Sequence, residues 1–150
     1  MIATIEASAL ARWIGETALV YPVANTAHVI GAILLVGGIG LLDLRLLGYG
    51  RGISAPALER AVTPLALAGF AVMVISGSIL FAADARALAG SSLFIAKLVL
   101  IALAGANAVA FRLGRPALAL PATLSMRVMA AGSLILWIGV VILGRLIAYF

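Results

Sequence analysis

Two side chains in this sequence could do chemistry inside a membrane: the only histidine, His28, and the only lysine, Lys97, each set within a long apolar stretch. A neutral imidazole offers one lone pair to a metal and one N–H to a neighbour, while an ammonium offers positive charge to a carboxylate. Tyr21, Asn25 and His28 follow an i, i+4, i+7 spacing, which places phenol, amide and imidazole on one helix face. Ser76 falls at helical spacing from Met73 and Leu80 in the next apolar stretch. If these faces converge, His28, Asn25, Ser76 and Lys97 line a polar pocket. Trp137 sits in the middle of the last apolar stretch, away from the interfaces that tryptophan favours, so its indole either packs or lines a flat cofactor. His28 alternatively ties helices together through a hydrogen bond, and Lys97 alternatively snorkels to the interface.

What is missing narrows the chemistry further. With no cysteine, the chain forms no disulfide, thiolate zinc site, iron–sulfur cluster or thiol nucleophile. With one histidine, a site needing two imidazoles arises only across a symmetric oligomer, and a Ser-His-Asp arrangement would have to use His28. Met73 could join His28 as a soft ligand, but two ligands do not make a copper site.

The solvent that holds these groups follows from composition. Of 150 residues, 65% are hydrophobic and 10% charged, and the mean hydropathy is +1.28. A water-soluble domain of this size could not clothe so much apolar surface. A bilayer core about 30 Å thick needs about 20 helical residues, and four stretches supply them: 20–42, 61–83, 92–113 and 128–150. The expected fold is all-α: a single integral-membrane domain, a four-helix bundle with up-down topology, its short loops making neighbours antiparallel. His28 then lies roughly 12 Å, and Lys97 roughly 8 Å, below the same membrane boundary at the helical rise.

The net charge of +5 sits at segment ends, which reflects topology and not nucleic-acid binding. Arg45, Arg51, Arg60, Arg112, Arg115 and Arg127 fall on one side, and Arg12, Arg86 and Arg145 on the other. The positive-inside rule puts the first group in the cytoplasm and both termini outside. Ile2, Ile5, Ala9, Leu10, Trp13 and Thr17 recur at helical spacing with Glu6 and Glu16 off the stripe. That pattern predicts a short N-terminal amphipathic helix along the outer interface, or else a frayed first turn of span one. It is not the pattern of a secretory signal peptide. Trp13, Tyr21, Tyr149 and Phe150 would form the outer aromatic belt.

Gly31, Gly37, Gly38, Gly40, Gly69, Gly77, Ala104, Gly105 and Ala108 let helix backbones approach closely. Gly37 to Gly40 lacks the strand and spacing of a nucleotide loop. Asn107 reads as interhelical glue or as a site residue. Asp43, Arg45, Glu59 and Arg60 read as an interfacial ion-pair cluster, with Asp43 alternatively ending a proton path. A faint repeat relates Arg45-Leu-Leu-Gly…Pro56-Ala-Leu to Arg112-Leu-Gly…Pro116-Ala-Leu.

His28 followed by Gly-Ala-Ile-Leu-Leu-Val-Gly-Gly, then Asp43-Leu-Arg-Leu-Leu-Gly, Leu58-Glu-Arg, Lys97-Leu-Val-Leu and Asn107 resemble an uncharacterised family of small bacterial inner-membrane proteins. The same order of features is similar to HemJ-type protoporphyrinogen oxidases and, more distantly, to CopD-type membrane proteins. The resemblance implies an axial haem b contact for His28, the one metal ligand it offers. It also implies a carboxylate partner in Lys97; Arg86, near the same surface, is a further candidate to pair with a haem propionate. Those oxidases carry a second histidine where this chain has Asn107, which argues against oxidase activity; a haem bound here would be five-coordinate or held by a non-histidine group. Besides a haem- or porphyrin-binding redox protein, two further readings stand: a cofactor-free accessory subunit of an oligomer or larger membrane complex, and a small-solute or copper transporter. Absence of a mid-depth acid and of paired helix breakers speaks against transport.

Overall fold

The computed structural model describes residues 17–114 and 121–149. The expected N-terminal amphipathic helix, together with Arg12, Trp13, Arg115, Pro116 and Phe150, lies outside the described residues. The chain forms α1 (Val20–Leu47), α2 (Ala55–Ala83), a short α3 (Ala85–Gly90), α4 (Ser92–Leu113) and α5 (Leu124–Leu146). The four long helices are each long and apolar enough to cross a membrane, and the described residues contain no strand. The protein is therefore an all-α, multi-pass membrane bundle.

Four helix ends differ from the expected ones: α5 stops at Leu146, short of the expected 150, where the chain passes into turns over 147–149, and the other three have local reasons. α1 runs five residues past the expected Leu42 because Arg45 finds partners in the following loop. Its Nε donates to the Ile53 carbonyl at 2.6 Å and its terminal nitrogen to the Arg51 carbonyl at 3.2 Å. The helix stops at Gly48, whose φ of 111° is left-handed, with the N–H groups of Gly48 and Tyr49 returning to the carbonyls of Arg45 and Leu44. α2 starts at Ala55 instead of Ala61, since Pro56 suits a first turn where its missing N–H costs nothing. α5 starts at Leu124, where the Thr123 hydroxyl accepts from the Met126 N–H at 3.3 Å.

α1 packs against α2 and α5, and α4 packs against α5. α2 and α4, although consecutive spans, nowhere bring their Cα atoms within 8 Å. The bundle is thus an open ring, α2–α1–α5–α4, with a cleft where it fails to close. Its tightest seam is the α1–α2 crossing: a Cβ placed on Gly31 would sit 2.8 Å from the Gly69 carbonyl oxygen, and one on Gly69 2.6 Å from that of Gly31. Gly37 and Gly105, by contrast, face open space. At mid-depth Leu35, Ala66, Ala104, Trp137 and Val140 form a core drawn from all four spans. The sequence echo is not an equivalence of roles, because Arg45 is buried and bonded to loop carbonyls whereas Arg112 is exposed.

Candidate functional site

The cleft between α2 and α4 holds two chambers separated by a waist. Leu35, Phe70, Ile101 and Trp137 line both of them. The chamber toward the start of α1 measures about 420 Å³ and is lined also by His28, Met73, Gly77, Phe81, Phe94 and Lys97. The other, toward the end of α1, measures about 330 Å³ and includes Asp43, Glu59, Asn107 and Ser133.

His28 reaches the first chamber from α1 because Gly77 on α2 leaves it room. A methyl group on Gly77 would lie 3.1 Å from the imidazole Cε1. Nδ1 stands 3.0 Å from the Ser76 hydroxyl. That hydroxyl spends its only proton on the Val72 carbonyl, 2.6 Å away, so toward the ring it is an acceptor and Nδ1 must be the protonated nitrogen. A second acceptor, the Met73 carbonyl, lies beside the ring. The lone pair is therefore on Nε2, the arrangement found where a histidine ligates a metal through one nitrogen and is oriented through the other.

Lys97 enters the same chamber from α4, half-buried, with its ammonium turned toward α5. A Cβ on Gly144 would lie 3.3 Å from Nζ. His28 and Lys97 thus line one chamber from opposite sides of the bundle's open ring. Phe81 and Phe94 stack at 5.5 Å between centroids and 15° between planes, bridging α2 to α4 at this end of the cleft.

The remaining expected site residues are dispersed. Asn25 is exposed on α1 and does not line the chamber, since its side chain is turned away from the cleft. Ser76 is buried and acts through His28, while its own position borders a shallow groove on the opposite flank of α1 and α2. Arg86 is exposed on α3. Trp137 is buried and forms the waist. Gly144, Gly77 as the seat of the ring, and the Phe81–Phe94 pair were not signalled by polarity or spacing. Only the room they leave or the contact they make gives them away. Among the described residues no three His, Asp or Glu side chains converge as a metal cluster.

In the second chamber the expected ion-pair cluster does not form around Asp43. Arg45 is held by loop carbonyls, two residues along a helix being too far round to face one neighbour. Asp43 instead meets the Ser133 hydroxyl of α5. Asn107 donates to the Met129 carbonyl at 3.1 Å, tying α4 to α5. Asn107→Leu should lower stability by about 0.6 kcal/mol, the usual worth of such a bond in a bilayer, and a thermal unfolding scan in detergent checks it; an unchanged midpoint would mean that the tie contributes nothing.

Comparison with protein-family models, with curated proteins and with solved structures finds no match.

Proposed function

We propose that the chamber at His28 binds haem b or a related porphyrin and that the protein serves a redox role in a bacterial inner membrane. The observation that supports this most is the imidazole, anchored through Nδ1 on Ser76 with its lone pair left on Nε2, in a chamber of about 420 Å³ walled in part by aromatic rings. The donor set fits such a group, with Nε2 of His28 for the metal and the Lys97 ammonium for a carboxylate at the macrocycle's edge. Bound haem would supply one-electron chemistry. The chain's own residues would receive the group in the cleft between α2 and α4, and Ser76 fixes the tautomer of the imidazole that would meet the metal. Arg45, Arg51, Arg60, Arg112 and Arg127 gather at the Asp43 end of the spans, which supports placing that end in the cytoplasm and His28 near the outer face.

Titrating the detergent-purified protein with haemin tests this reading. Saturation at one equivalent with a shifted Soret band is expected, weakened in Lys97→Met. Absence of saturable binding would remove it. A second reading, a cofactor-free subunit whose cleft receives a partner's helix, draws on the open side of α4, where Ala104 is the one buried residue. It predicts no haemin binding and a larger complex on extraction from native membrane.

A further inference from the structure

The second chamber carries an observation that the proposed haem site does not use. Asp43 is 7% exposed, and its Oδ2 is the one buried side-chain oxygen or nitrogen among the described residues without a hydrogen-bond partner. Its carboxyl group meets the Ser133 hydroxyl, and that bond serves the other oxygen. The chamber's walls are mostly apolar, Leu35, Leu42, Val62, Ile101 and Phe111 among them, with Thr63 and Asn107 as further neutral polar groups.

The charged groups facing Asp43 do not neutralise it. On its own helix Arg45 is turned into the loop and engaged by two carbonyls. From α2 the facing ionisable group is Glu59, another acid. From α4 it is Arg112, which is exposed, and from α5 the chamber receives Ser133 and no ionisable side chain. An ionised carboxylate here would keep a charged oxygen without any donor in low-dielectric surroundings, the costliest state a side chain can adopt at membrane depth. A proton removes the charge, and only a neutral polar group then remains to be accommodated.

We infer that Asp43 is a proton-binding site, a carboxylic acid at neutral pH that exchanges its proton through the cleft on the side where Glu59 and Arg112 stand. The exchange is a plain acid–base step: the carboxylate takes one proton from water at that face and returns it there, with no change of oxidation state. The site does not depend on what occupies the chamber at His28, so the two proposals fail separately.

Infrared spectroscopy of the full-length protein in liposomes tests it. At neutral pH the carbonyl stretch of a protonated carboxylic acid is expected, lost in Asp43→Asn and retained in Glu59→Gln. Because the chain has only two aspartates, Asp43 and the exposed Asp84, ¹³C-labelled aspartate in the wild-type protein should shift that band even if the variant does not fold. A wild-type spectrum with no such band at neutral pH, or a band that neither the label nor Asp43→Asn moves, would overturn the assignment.

Discussion

Gly69→Ala should separate α1 from α2 and cost stability at or above the upper end of the ~1–3 kcal/mol seen when extra methyl groups are forced into packed interiors. The added Cβ would fall 2.6 Å from the Gly31 carbonyl oxygen, 2.7 Å from the Leu35 nitrogen and 2.8 Å from Leu34 Cβ. Two of these three neighbours are backbone, so no side-chain rotation relieves the clash and the helices themselves must move. In lipid, where no hydrophobic drive holds helices together, that seam is a main source of association. His28 and Ser76 face each other across the same seam at 3.0 Å, so widening it should also break their hydrogen bond. Gly37→Ala is the control, because its Cβ would meet nothing within 4 Å and alanine favours helix over glycine by about 1 kcal/mol. Unfolding in mixed detergent micelles should place the two variants on opposite sides of the wild type. Equal midpoints for Gly69→Ala and Gly37→Ala would show that the crossing is not where the bundle is held.

The contrast between these glycines shows how far the sequence could be read. A count of small residues identifies helices able to approach closely, but Gly31 and Gly37 look alike in it. Only the crossing geometry separates the one buried against backbone from the one facing outward. The four spans were legible because hydrocarbon thickness imposes a minimum apolar length. Their ends at Leu47, Ala55 and Leu124 were less so, since Arg45, Pro56 and Thr123 there are set by loop carbonyls and caps, which hydropathy ignores. Placing His28 and Lys97 at one depth required only the helical rise. Their sharing a chamber depended on α2 and α4 failing to pack, a property of the whole ring that no single segment encodes. Asp43 differs from its expected pairing for a related reason: Arg45 is near in sequence, whereas Ser133, 90 positions away, is the group the fold delivers.

His28→Ala should abolish the Soret shift on haemin addition, and free imidazole should restore part of it. The restoration is the decisive half of the experiment. Loss of binding alone would also follow if alanine merely disturbed the α1–α2 seam, because the imidazole bridges to Ser76 there. A vacated side-chain cavity next to Gly77 has room for a diffusible imidazole, whose nitrogen can occupy the place of Nε2 while Ser76 still accepts from its other N–H. Ser76→Ala supplies a graded counterpart. It removes the acceptor that fixes the tautomer but leaves the ligand, and losing such an outer partner typically weakens metal affinity ~10–100-fold. The expected order of haemin affinity is therefore wild type, Ser76→Ala, His28→Ala with imidazole, His28→Ala alone, measured on protein whose helical circular dichroism is unchanged. If His28→Ala bound haemin as tightly as wild type, the imidazole would be reduced to a tie between α1 and α2, and any affinity for haemin would have to come from the aromatic walls and Lys97.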